Sequence, residues 1–342
     1  MTDAPDIAGL EHHHVEVDGV DLHYVEGGVE HGGTPLVLVH GWPQHFWIWR
    51  HVAEDLVRDH HVIALDLRGH GWSEVPDPEG DAYDKRRLAA DVEGFVEALG
   101  LDRPVVVGHD WGAFVGLLVA SRRPELVGGV VAVAILPPWA ALPVRALPRF
   151  AYQLVAAGPW GRFAHQGLDQ RFLRTVYKLG AGRGPQLQDA EVYLERYRDP
   201  ARARAGVAMY RRFLTREVPD SLRGRYADQA RSVPILLVPG ESDGVLHPSL
   251  VSAGATLPNV SLETVGAGRA LGAGAAAPRR RREGPALRRE PVLSPPHPRF
   301  APPCTVRTAQ TVHDGAILVR SRHGRVSRGA RGRGTGRPRL EP

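Results

Sequence analysis

At 342 residues the chain is long enough for one large α/β domain with an insertion, or for two ordinary domains. Its hydrophobic content of 43% is globular, no apolar run is long and charge-free enough to span a bilayer, and a single cysteine, Cys304, excludes an internal disulfide framework and fits a reducing compartment. The net charge of +5 does not mark a basic protein, because residues 267–342 hold 17 arginines against 4 acidic residues and the body before them is net acidic.

Residues 14–17 and 20–25 alternate about Asp18-Gly19, a hairpin signal. His12, His13 and His14 sit on the first run, where neighbouring side chains point to alternate faces, so they read as a solvated strand end rather than a metal site. Residues 35–39 form a buried strand ending in His40-Gly41-Trp42-Pro43, and an amphipathic helix opens at Trp47 and runs to about Val57. The strand 61–66 leads into the turn Leu67-Arg68-Gly69-His70-Gly71-Trp72-Ser73. Residues 85–99 predict a helix closed by Gly100. Three valines, 105–107, then enter Gly108-His109-Asp110-Trp111-Gly112, followed by an apolar helix through Ala120 and a strand over 126–135. Such alternation predicts an α/β fold with a mostly parallel sheet covered on both faces. From 138 to 230 the pattern changes to helices alone, dense in Tyr and Arg, before a strand at 234–240, a helix at 247–257 and a last strand at 260–265. The expected organisation is one core in two parts, 12–137 and 231–266, a helical cap at 138–230, and an irregular Arg-, Pro- and Gly-rich tail at 267–342.

The chain is organised around Asp110. Flanking glycines let the backbone turn tightly enough to present one side chain at the C-terminal edge of the sheet. Where an esterase or lipase has serine, this chain has a carboxylate, which attacks an electrophilic carbon directly and forms an alkyl-enzyme ester. The bland reading, an aspartate favouring the dipole of the following helix, leaves the neighbouring motifs unexplained.

His40-Gly41-Trp42-Pro43, Asp66-Leu67-Arg68-Gly69-His70-Gly71-Trp72-Ser73 and Gly108-His109-Asp110-Trp111-Gly112 stand in the order and spacing of the α/β-hydrolase family. Over residues 12–266 the chain resembles its epoxide hydrolase-like branch, close to the haloalkane dehalogenases. The resemblance implies an α/β-hydrolase fold, Asp110 as nucleophile, and the backbone N–H groups of Trp111 and Trp42 as an oxyanion hole, each donor commonly worth ~3 kcal/mol. It implies a pocket lined by Trp42, Pro43 and Trp111. Asp243 matches the charge-relay acid, with Glu241 as the alternative. Tyr152 and Tyr210 stand where epoxide hydrolases carry the tyrosines that protonate the departing alkoxide; Tyr177, Tyr193, Tyr197 and Tyr226 have no such local match. The implied substrate is a small apolar epoxide, opened through a covalent ester that water cleaves to a diol, with no cofactor and no metal. The alternative is a haloalkane dehalogenase-like hydrolase. That group commonly carries Asn after His-Gly, where this chain has Trp42, and fluoroacetate dehalogenases carry Arg after the nucleophile, where it has Trp111.

The resemblance also implies a histidine after the last strand, in a Gly-His-aromatic motif with Pro-Glu beyond it. Here Gly266-Ala267-Gly268 runs into Arg269-Ala270-Leu271-Gly272-Ala273-Gly274, and the histidine is absent. Codons available for residues 269–275, read one base later, can spell Gly-His-Trp-Val-Pro-Glu. The chain beyond shows Arg runs and Pro-rich stretches without periodicity, as GC-rich DNA gives when read out of frame. A frameshift between about Gly266 and Arg269 is therefore expected, with turnover impaired. A reading of another class is an inactive hydrolase-fold protein whose tail, through Arg279-Arg280-Arg281-Arg282 and the Arg/Gly stretch 328–334, binds polyanions weakly. With Phe300 as its one Phe, Tyr or Trp the tail lacks stacking partners, so no specific nucleic acid and no membrane partner is expected. The first residues also lack the basic and apolar regions of a signal peptide, and the expected location is cytoplasmic.

Overall fold

The computed structural model describes residues 3–140, 144–181, 190–226, 232–241, 243, 245–265, 306–308 and 319–321. Its frame is an eight-stranded sheet in the order β1-β2-β4-β3-β5-β6-β7-β8. These strands are β1 (Glu11–Val17), β2 (Val20–Gly27), β3 (Leu36–Val39), β4 (Val62–Leu65), β5 (Val105–His109), β6 (Gly129–Val133), β7 (Ile235–Val238) and β8 (Val260–Leu262). The β1–β2 and β2–β4 pairs are antiparallel, and every pair from β4 to β8 is parallel. Asp18 and Gly19 both take positive φ, 48° and 72°, which is the backbone a tight hairpin needs. Every residue of β3, β4 and β6 is buried, as expected of strands covered on two faces.

Three helices cover the first half of the sheet: α1 (Arg50–Leu56), α2 (Lys85–Ala98) and α3 (Trp111–Arg122). Residues 111–120 of α3 are all buried, so this helix is apolar all round rather than striped. Between β6 and β7 the described residues form helices only: a 3-10 helix (Val144–Phe150), α4 (Tyr152–Ala157), α5 (Gly161–Ala181), α6 (Ala190–Arg196), α7 (Pro200–Arg212), a π-helical turn (Phe213–Glu217) and α8 (Val218–Leu222). Residues 167–170 leave helical geometry and kink α5. Asp199 caps α7 by accepting from the Ala201 N–H at 2.9 Å, with Pro200 at the first position.

Two arginines of this helical insertion clamp the turn after β4. The Arg196 Nε and Nη2 and the Arg202 Nε all donate to the Gly71 carbonyl, at 3.0, 2.8 and 3.0 Å, and Arg202 Nη2 donates to the Ser73 carbonyl at 3.0 Å.

Three expectations need correction. The helix expected at 247–257 is only α9 (Pro248–Val251) and a 3-10 turn, Ser252–Gly254. The Gly254 carbonyl accepts from Trp139 Nε1 at 2.8 Å, which draws that end of the segment onto the loop after β6. The histidine triplet alternates faces as expected but is not simply solvated. His12 shares a 2.9 Å hydrogen bond with His23, His14 one of 2.8 Å with Asp21, and the His13 ring stacks on Tyr24. Within the tail, residues 306–308 and 319–321 pair as an antiparallel ribbon, β9 (Val306–Thr308) and β10 (Val319–Ser321). The frameshift expected near Gly266, Cys304, Arg279 to Arg282 and the 328–334 stretch lie outside the described residues. Among those described, no helix is long and apolar enough to cross a membrane, and no group of three His, Cys, Asp or Glu could hold a metal ion.

Candidate active site

Asp110 stands between β5 and α3 with φ 49° and ψ −120°, a conformation rare for a residue with a side chain. Three glycines permit it. A Cβ on Gly108 would lie 2.4 Å from the Ala113 Cα, and one on Gly112 2.2 Å from the Val39 carbonyl oxygen, so strand and helix close on each other only without those side chains. A Cβ on Gly41 would lie 2.4 Å from the Asp110 Cβ; here the glycine leaves room for the carboxylate itself.

The Trp42 N–H donates to Asp110 Oδ2 at 3.0 Å, and the Trp111 N–H also acts on the carboxylate. The side chain is half-buried. Burial pushes Asp110 up to about 7, against the pull of those two N–H groups and of the Lys85 charge, while Asp243 adds to the push. At neutral pH this carboxylate is therefore balanced between its two protonation states. Pro43 follows Trp42 through a cis peptide bond and is buried with it.

Above the carboxylate lies an aromatic group. The Tyr210 ring, on α7, sits edge-on to Trp42 at 4.8 Å and to Trp111 at 5.5 Å, and Tyr152, at the start of α4, is 6.1 Å from Tyr210. Burial and the Asp110 charge raise Tyr152 to about 12, and burial, Tyr152 and Asp110 raise Tyr210 well above its ordinary value. Both hydroxyls thus stay protonated at any working pH and remain able to donate. Among the other tyrosines of the helical insertion, Tyr197 packs against Trp42 at 6.3 Å, whereas Tyr177 packs on Tyr193, Tyr193 on His45, and Tyr226 on Phe114. The indole nitrogens of Trp42 and Trp111 are buried without a hydrogen-bond partner among the described residues.

Asp243 is half-buried and its Oδ1 accepts from the Val245 and Leu246 N–H groups, both at 2.8 Å, leaving Oδ2 uncommitted by these bonds. Its charge reaches both Asp110 and Tyr152. Glu241, the alternative, is exposed, and only its backbone N–H bonds into the sheet edge, to Val265.

A model of the alpha/beta hydrolase fold matches residues 34–269, and a model of the epoxide hydrolase N terminus matches residues 4–49. This chain belongs to the alpha/beta-hydrolase fold family, in its epoxide hydrolase-like branch. It is 41% identical over 128 residues to a soluble epoxide hydrolase of Corynebacterium sp. (strain C12), a match covering 37% of this chain and 43% of that protein. With epoxide hydrolase 3 of Mus musculus it is 29% identical over 249 residues, 70% of this chain and 65% of the mouse protein. The chain thus matches less than half the length of the Corynebacterium relative. Among solved structures, an epoxide hydrolase called CorEH superposes with a TM-score of 0.64 at 28% identity, covering 75% of this chain and 90% of that one. Epoxide hydrolase A of Mycobacterium thermoresistibile gives 0.58 at 25% identity, over 75% and 91%.

Two features of this hydrolase-fold chain escape the sequence reading. Asp66 is a wholly buried hub: its Oδ1 accepts from the Phe46 N–H at 2.7 Å, and its Oδ2 from the Trp72 N–H at 3.0 Å and from His23 at 2.8 Å. Burial alone would raise Asp66, but the hydrogen bond and charge of His23, aided by His45 and His40, hold it below the usual carboxylate range. Lys85 is buried at the N-terminus of α2. A signal for it was present: Lys85-Arg86-Arg87 opens a helix with no acidic residue in its first turn, against the sense of the helix dipole.

Proposed function

We propose that this chain is a hydrolase of the epoxide hydrolase type, with Asp110 as nucleophile and the helical insertion, 138–230, as its cap. The observation that carries the reading is the strained, half-buried Asp110 whose Oδ2 is held by the Trp42 N–H. Oδ1 is then the oxygen that attacks an epoxide carbon. The new C–O bond forms as the ring C–O bond breaks, and the departing alkoxide takes a proton from the Tyr210 or Tyr152 hydroxyl, which solvent later restores. Their raised values make both tyrosines weak acids matched to a strongly basic alkoxide. In the second step water adds to the Asp110 Cγ, and the charge that develops on Oδ2 meets the Trp42 and Trp111 N–H groups.

The histidine that would take the proton of that water is missing from the sequence after β8, so we take the chain as written to open an epoxide and then stall. That the family match ends at residue 269 supports a shift of frame near that position. The test is mass spectrometry after incubation with an excess of styrene oxide. One adduct per chain, located on Asp110 and persisting for hours, is expected. Diol formed at many turnovers would sink the single-turnover reading, and no adduct at any pH would sink Asp110 as nucleophile.

The two unpartnered indole donors favour a second reading, a haloalkane dehalogenase-like hydrolase, since a departing halide would satisfy both. Stoichiometric bromide release from a 1-bromoalkane, with alkylation of Asp110, would establish it. The substrate of either reaction is taken as small and apolar, the location as cytoplasmic, and any polyanion binding by the tail as weak and salt-sensitive.

A further inference from the structure

Lys85 is 0% exposed, yet no carboxylate lies within ion-pair distance of its ammonium among the described residues. Buried ammonium groups are uncommon unless a counter-charge is close, because desolvation favours the neutral amine. Instead, Nζ donates to the Met209 carbonyl at 3.3 Å and stands over two ring faces, Trp111 at 4.1 Å and Phe213 at 5.7 Å. Each partner belongs to the candidate active site or borders it. Met209 precedes Tyr210 on α7, and Trp111 follows Asp110 and supplies its N–H to the carboxylate. Burial pulls Lys85 down to about 8, against the charges of Glu217 of the π-helical turn, Asp110 of the elbow, and Asp84 beside it on the chain. Asp84 is engaged by Arg212 and Arg216, at 3.4 and 3.8 Å, and a Glu217 oxygen accepts from the Lys85 backbone N–H at 2.7 Å. Around Asp110 stand Asp243, which repels it, the two protonated tyrosines, and His109, which burial keeps neutral. Among the described residues the cation that favours its charged form is Lys85.

We propose that Lys85 is a positioning residue, whose ammonium, packed on the Trp111 indole and tied to the Met209 carbonyl, favours the ionised Asp110 carboxylate for attack and holds the Tyr210 helix in register above it. The inference rests on Asp110 being the nucleophile. It has a chemical corollary: alkylation neutralises Asp110, so the ester leaves the buried ammonium without that counter-charge, whereas hydrolysis of the ester restores it. The same lysine therefore favours both ends of the cycle over the intermediate.

Single-turnover alkylation by styrene oxide, followed by mass spectrometry from pH 5 to 9.5, tests this. In the unaltered chain the rate rises with pH to a plateau, its midpoint marking ionisation of Asp110. Lys85→Met should move that midpoint upward by about one pH unit, so alkylation is roughly tenfold slower below it and converges with the parent rate at high pH. Lys85→Arg should keep the parent midpoint. Lys85→Gln, which can still hydrogen-bond to Met209, should shift it as Met does, and carries the comparison if the Met variant fails to fold. A uniform slowing at every pH with an unmoved midpoint would reduce Lys85 to packing and overturn the proposal. If the unaltered chain gives no adduct at any pH, the nucleophile assignment fails first, an outcome distinct from an unmoved midpoint.

Discussion

Asp110 is placed at the expense of the fold. Its folded-state value of about 7 lies above the ordinary 3.8, so the native state prefers the protonated form. The sign follows: its contribution is most favourable below pH 3.8 and is lost as pH rises through 7, a difference of at most about 4 kcal/mol at 1.36 kcal/mol per unit, lessened by the solvent that reaches the side chain. Asp110→Asn, which keeps an oxygen for the Trp42 N–H, should raise Tm by several degrees at pH 8 and leave it little changed at pH 4. An equal or lower Tm at pH 8 would contradict the assigned burial. Asp110 was legible from its glycines, because tight backbone geometry writes itself into residue type. The hub role of Asp66 was not, since its partners are the distant His23 and two backbone N–H groups that any residue could supply.

At the scale of elements, strand and helix fit together through small residues. Gly112 lets the first turn of α3 rest against the end of β3, where a methyl group would press on the Val39 carbonyl at 2.2 Å. Gly112→Ala should therefore cost about 1–3 kcal/mol, read as a lower denaturation midpoint, and should slow Asp110 alkylation because the Trp111 N–H moves with the helix. A variant as stable and as reactive as the parent would show that α3 can shift freely. The core strands were legible because continuous apolar runs mark strands buried on both faces. The helix at 247–257 was not, because its apolar spacing is silent about the tertiary bond from Trp139 to Gly254. Lys85 escaped for a related reason: its partners, Met209, Phe213 and Glu217, are more than a hundred residues away in the insertion.

For the molecule as a whole, the residues that would bind and open a substrate precede β8, and the expected base follows it. Shifting the frame by one base so that the codons after Gly268 encode Gly-His-Trp-Val-Pro-Glu should convert one adduct per chain into many diols per chain. It should also raise Tm, since a final helix would then cover one face of the sheet. Both are measurable on one purified variant; a restored chain that still stalls would show that the missing histidine is not what limits turnover.

At the turn after β4 the insertion holds the core through main-chain oxygens, with Arg196 and Arg202 on the carbonyls of Gly71 and Ser73. Those bonds depend on the course of the chain, and the one side chain of the turn that joins them is Trp72, whose ring lies 4.5 Å under the Arg196 guanidinium. Gly69 and Gly71 are fixed, because a Cβ would meet the Tyr83 ring at the first and the Asp66 carboxylate at the second. A chain carrying this joint can vary side chains elsewhere in the insertion while the two arginines go on meeting the same two carbonyls.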